Sequence, residues 1–238
     1  MLLLVSGEGV TDMGRCIVSD QCSGQGFEAG PMAWLVDQIV EARMDYSVLS
    51  VGLMTFVSES RVSKRSKSLK PMTLAGRKRK QETTYFFRNA RAMAKLAQEL
   101  AKKENDEVVA VLFRDTDRTR SSKRGEWQDK WDAMVKGFAV EGFNSGVPML
   151  PNPKSEAWLL CALKSQPYEN CDRIEAESGN DDAPNSLKAQ LGQVLGQTSN
   201  AAMLTDLVRT KKVDASRIDM SSFNRFRNRL QKYLASVS

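Results

Sequence analysis

The chain contains no histidine in its 238 residues. That absence removes a Ser-His-Asp triad, a Cys-His nucleophile pair, an HExxH metalloprotease and a His-Asn-His nuclease, all of which need the imidazole. Acid-base chemistry must run on carboxylates, lysine, tyrosine or metal-bound water. Cysteine is scarce as well, at Cys16, Cys22, Cys161 and Cys171. No two of them have CxxC spacing, so a structural zinc site is not expected and four free thiols in a reducing cytoplasm are. Long apolar runs are also missing. MLLLV at the start is far too short to cross a bilayer, and it shows neither a basic leader nor a small-residue cleavage site. The expectation is a cytoplasmic protein that does not enter a membrane.

What is present is ordinary for a globular chain: 41% hydrophobic and 27% charged residues, enough for one well-filled core with a small helical appendage. The formal charge of +6 and pI near 9.2 favour a polyanionic partner. The positive charge is concentrated. Between positions 61 and 80 stand Arg61, Lys64, Arg65, Lys67, Lys70, Arg77, Lys78, Arg79 and Lys80, with no acid among them. Such a run reads as a loop, either solvated or in contact with phosphate.

Periodicity sets the architecture. LLLVSGEG begins as a buried strand and breaks at Gly7 and Gly9. Met32, Leu35, Val36, Ile39 and Val40 have helical spacing. SVLSVGLM (47–54) reads as a second strand, and a long amphipathic helix runs from Glu82 to Lys103. DEVVAVLF (106–113) is a continuous valine-rich run, the pattern of a central parallel strand covered on both faces. A helix over 126–141, a fourth strand GVPML (146–150) and a helix opening at SEAWLLCALK follow, with Ser155 placed as an N-cap. Beyond 166 the pattern is helical, over 187–195, 201–208 and 223–234. Strands alternating with helices imply βαβ units and a parallel sheet of about four strands, flanked by helices, with a C-terminal helical extension.

In open sheets of this kind the functional crevice lies at the carboxyl ends of the strands. Glu8 and Asp12 follow the first strand, Asp115 and Asp117 the third, and Glu156 the fourth. Each acid alone has a plain structural role: a turn residue, a cap, a complement to a helix dipole. Five at strand ends on one edge point instead to an all-oxygen site for a hard cation, because crowded carboxylates repel unless something positive intervenes. Trp34, Trp127, Trp131 and Trp158 read as core, SGQG (23–26) as a flexible connector, and Asp129 and Asp132 as solvated. Arg225, Arg229 and Lys232 share a helical spacing that would suit a nucleic-acid backbone or an acidic partner, with an ordinary solvated face the favoured reading.

LLLVSGEGVTD, AVLFRDTD and PNPKSEAWLL, in that order, resemble the Toprim pattern of a glutamate after strand one, a DxD after strand three and a later acid. The spacing of Glu8 and Asp12 and the KSEAW segment are similar to the OLD-like nucleases and the small Toprim-like proteins of phage-defence loci. The resemblance covers residues 1–165, the catalytic domain it implies, and leaves 166–238 as an extension for nucleic-acid or partner contact. It implies a Mg2+- or Mn2+-dependent endonuclease acting on DNA or RNA, with two ions held by Glu8, Asp12, Asp115, Asp117 and Glu156. Glu8 could serve as general base, and Lys154 would stabilise transition-state charge. Arg61, Lys64, Arg65, Lys67, Arg77, Lys78, Arg79, Lys80, Arg114 and Arg118 would hold the phosphate backbone. An ATPase subunit encoded alongside and a role in antiviral defence are further implications. Two other readings remain open: a non-catalytic nucleic-acid- or partner-binding module on a Toprim scaffold, and a phosphatase acting on a small molecule.

Overall fold

The computed structural model describes residues 1–72, 81–116 and 126–235, with the backbone alone for 81 and 82. Asp117, Arg118, Arg77, Lys78, Arg79 and Lys80 lie outside the described residues. In chain order the elements are β1 (Leu2–Ser6), β2 (Gly14–Cys16), β3 (Gln21–Ser23), β4 (Phe27–Ala29), α1 (Pro31–Met44), β5 (Met54–Val57), α2 (Glu59–Ser68), α3 (Gln81–Glu104), β6 (Val108–Phe113), α4 (Glu126–Val140), β7 (Gly146–Met149), α5 (Ser155–Leu163), α6 (Leu187–Leu195), α7 (Ala201–Arg209) and α8 (Ser221–Leu234). Short 3-10 turns occupy Gly24–Gly26 and Cys171–Ala176.

The main sheet has the order β3-β5-β1-β6-β7, and β2 pairs with β4 in a small antiparallel ribbon. Strands β5, β1, β6 and β7 are mutually parallel, while β3 adds an antiparallel edge. The result is an α/β fold on a mixed, mostly parallel sheet of five strands, one more than the sequence suggests. Strands β1 and β6 are buried on both faces because alternate residues feed two cores. Leu3, Val5, Val109, Val111 and Phe113 face one core with α1, α5 and α8. Leu4, Val108, Ala110 and Leu112 face the other, with α3 and α4. The helices after 166 are not appended to this body. Val208, Phe223, Phe226, Leu230 and Leu234 belong to the same core as β1, β6 and β7.

Three local expectations need correction. The apolar run 47–54 is mostly turn, held by the buried Asp37, whose carboxylate accepts Ser47 Oγ at 2.8 Å and the Leu49 amide at 2.9 Å; the strand starts where that run ends. The basic stretch is not a loop at its start: α2 is capped by Ser58, which accepts the Arg61 amide, and is anchored by Val62. The cysteines are not free. Cys16 bonds Cys22 and Cys161 bonds Cys171, with Cα separations of 5.7 and 5.2 Å that lie in disulfide range. With the reduced thiols goes the argument they gave for a cytoplasmic setting. Among the described residues no helix is long and apolar enough to cross a membrane.

Smaller details also shift. SGQG is partly a 3-10 turn. Arg225 and Arg229 do not form a plain solvated face. Arg225 lies 4.8 Å from the Trp131 ring, and Arg229 Nε donates to the Gly146 carbonyl at 2.8 Å, so both fasten α8 to the body. Trp158 is fully buried core as expected, with its indole N–H on Ser222 Oγ at 2.9 Å.

Candidate active site

The register of the parallel strands sets the site. Ser6 stands opposite Leu112, and Phe113 opposite Met149, so the chain leaves β1, β6 and β7 at one edge of the sheet. The loop after β1 folds back tightly. A Cβ on Gly7 would sit 2.4 Å from Met13 Cβ, a contact only glycine avoids. Asp12 is then fixed through its own carbonyl, which accepts the Met32 amide at 3.0 Å in the first turn of α1.

Ser155 joins the three loops. It is the first residue of α5 and not its N-cap, a place taken by Lys154 without a side-chain bond. Its amide donates to Asp115 Oδ1 at 3.0 Å, so the aspartate after β6 caps a helix that follows β7. Its hydroxyl donates to Asp12 Oδ1 at 2.6 Å and lies 3.5 Å from Glu156 Oε2. The positive end of α5 thus faces three carboxylates.

Burial pushes the Asp12 carboxyl above its ordinary range; hydrogen bonds from Ser155 and Thr11 and the charge of Lys154 only partly offset this. Glu156 is raised first by burial and then by Asp12 and Asp181, against its own amide and Lys154. Two carboxylates that burial pushes toward protonation, next to a hydroxyl oxygen, form a hard, all-oxygen donor set. Mg2+ is commonly bound by one or two carboxylates, with waters and substrate phosphate completing its shell, so the pair fits such an ion. Among the described residues no three carboxylates come close enough together to hold one metal. The five-carboxylate, two-ion arrangement is therefore not assembled by Glu8, Asp12, Asp115 and Glu156 alone. The charge of Glu8 bears on Tyr85.

Other expected residues have settled partners. Lys154 Nζ donates to Asp181 Oδ2 at 3.0 Å. On α2, Arg61 pairs with Asp20 at 3.0 Å and Arg65 pairs with Glu99, while Lys64 and Lys67 stay exposed.

Several site residues escape sequence reading. Thr116, the middle residue of DTD, is buried and donates from Oγ1 to the Pro151 and Pro153 carbonyls at 3.1 and 2.6 Å. Lys130 is buried too, with Nζ on the Thr116 carbonyl at 2.8 Å. These two fix the PNP turn that carries Lys154, Ser155 and Glu156. A threonine between two aspartates was the one visible signal. A cleft of about 520 Å³ opens beside Thr11, with Arg15 and Arg209 on its walls.

No family model, no curated protein and no solved structure matches the chain.

Proposed function

We propose that the chain is a Toprim-like, metal-dependent phosphodiesterase acting on nucleic acid. One observation carries the reading: Ser155 draws Asp12 and Asp115 together, with Glu156 beside them, at the carboxyl edge of parallel strands. Asp12 and Glu156 would hold a Mg2+ or Mn2+ ion. Such an ion, when bound, polarises a phosphate oxygen and acidifies water. The chain's own residues do the rest. Ser155 holds one oxygen of Asp12 by its hydroxyl. Asp115, locked on the Ser155 amide, holds the end of β6 against α5. Lys154 keeps positive charge beside both acids while Asp181 restrains it.

The exposed Lys64 and Lys67 and the net charge of +6 support a polyanionic substrate. A defence role with an ATPase subunit rests on the Toprim resemblance. The test is to incubate the purified chain, alone and with an ATPase encoded beside it, with plasmid DNA and tRNA in Mg2+, Mn2+ or EDTA. Cleavage that needs the metal and is lost in Asp12→Ala supports the reading. Nucleic-acid binding that survives this substitution, with no cutting in any metal, replaces it with the non-catalytic module.

A further inference from the structure

Arg114, the first residue past β6, is fully buried at 0% exposure. Its Nη1 donates to the Phe113 carbonyl at 2.7 Å, while Nε and Nη2 have no hydrogen-bond partner. A guanidinium cannot shed its charge by losing a proton, so burying it with two N–H groups unsatisfied weighs directly against the fold. The orphan pair is also specific in geometry. Nε and Nη2 form the side-on edge of the fork, whose two parallel N–H groups match two oxygens of one anion.

No acceptor among the described residues takes that edge. Glu59 is engaged by the Tyr85 hydroxyl at 3.1 Å, and Asp115 Oδ1 accepts the Ser155 amide. Tyr85 lies across the guanidinium, its ring centroid 5.9 Å from Cζ, and is itself 40% exposed. A half-exposed ring, its hydroxyl on Glu59, thus borders the buried cation.

We propose that the Nε–Nη2 edge of Arg114 is a phosphate site, with Tyr85 as its lid. The ligand is the pair of non-bridging oxygens of a phosphate group, admitted when Tyr85 turns away from the guanidinium. This rests on the phosphodiesterase reading, since it sets a substrate phosphate next to Asp115, but it needs no metal to be tested.

The experiment is thermal unfolding with phosphorus-31 NMR in EDTA, at ionic strength matched with sodium chloride. Inorganic phosphate and a short single-stranded oligonucleotide are the two probes. Phosphate is expected to raise the wild-type Tm and broaden the phosphorus signal. Arg114→Met should abolish both effects while keeping or raising the Tm without phosphate, because an apolar side chain replaces an unpaired buried charge. Arg114→Lys keeps the charge without the fork and should bind at least tenfold more weakly. Tyr85→Ala should bind no more weakly than wild type. A response to inorganic phosphate alone supports the site with a free phosphate as ligand; a response to the oligonucleotide as well supports a backbone phosphate. An equal phosphate response in wild type and both Arg114 variants overturns the inference, as does no response in wild type. With EDTA present throughout, these outcomes leave metal-dependent cleavage untouched, and a failure to cleave in Mg2+ leaves them standing.

Discussion

Ser155 and Asp12, 143 residues apart in the chain, share a hydrogen bond of 2.6 Å. That one bond ties the loop after β1 to the helix after β7, whose next residue is Glu156. Removing it tests whether the arrangement is used. Ser155→Ala keeps the helix-forming backbone and the amide bond to Asp115 but removes the hydroxyl that holds Asp12 Oδ1. Supporting partners of this kind, when lost, typically lower metal affinity or activity by roughly 10- to 100-fold. Metal-dependent cleavage should fall by that order, with stability lowered by about 1–3 kcal/mol. Cleavage at the wild-type rate would show that the bond is structural.

Thr116 makes a separate prediction. Its hydroxyl serves the Pro151 and Pro153 carbonyls from inside the protein. Thr116→Val preserves shape and leaves those carbonyls without that donor, which should cost about 1–3 kcal/mol. Urea unfolding measures this. A change below a few tenths would mean that water or another group replaces the hydroxyl.

The main strands and helices were legible because their apolar periods are clean: VVAVLF is buried at every position, as its composition implies. Strand β5 was misplaced because Val48 and Leu49 are apolar for a different reason, packing a turn that Asp37 organises. Helix α2 was hidden by its polarity, since Val62 is its one buried residue. The strand-end carboxylates were legible from topology. Their partners were not, because Ser155–Asp12 and Ser155–Asp115 are contacts between distant segments, and neither hydrogen bond leaves a local pattern. The burial of Arg114 is equally invisible, since arginine beside aspartate reads as surface charge.

The pair of disulfides gives a further check. Unfolded in denaturant without reductant, the chain should show no reactive thiol, and four after reduction. Replacing Cys161 and Cys171 with serine should lower stability by about 2–3 kcal/mol, the loop-closure value for a short loop. Four reactive thiols without reductant would restore the free-cysteine reading.

Glu141 supplies a pH test away from the site. It is 9% exposed and is held by Arg91 at 2.5 Å and Lys95 at 3.0 Å, bracing α4 against α3. Burial alone would raise its pKa, but the hydrogen bonds and charges of Lys95 and Arg91 together bring it below the ordinary value of 4.5. A folded pKa below the unfolded one gives stability that is present above pH 4.5 and lost as pH falls through the lowered folded value. Glu141→Gln leaves the buried Arg91 and the partly exposed Lys95 short of a partner and should cost about 3 kcal/mol at pH 7. The gap to wild type should shrink as pH drops below about 4, near the glutamate reference range. A gap independent of pH would contradict the ion-pair account.

The central claim is that Asp12 and Glu156 together hold a divalent cation. Electron paramagnetic resonance of Mn2+ titrated into the purified chain tests it most directly, since free and bound ion give distinct signals. The wild type is expected to bind Mn2+, with Asp12→Asn and Glu156→Gln each weakening it at least tenfold and Mg2+ competing for the site. Binding unchanged in both variants, or no binding in the wild type, would contradict the account.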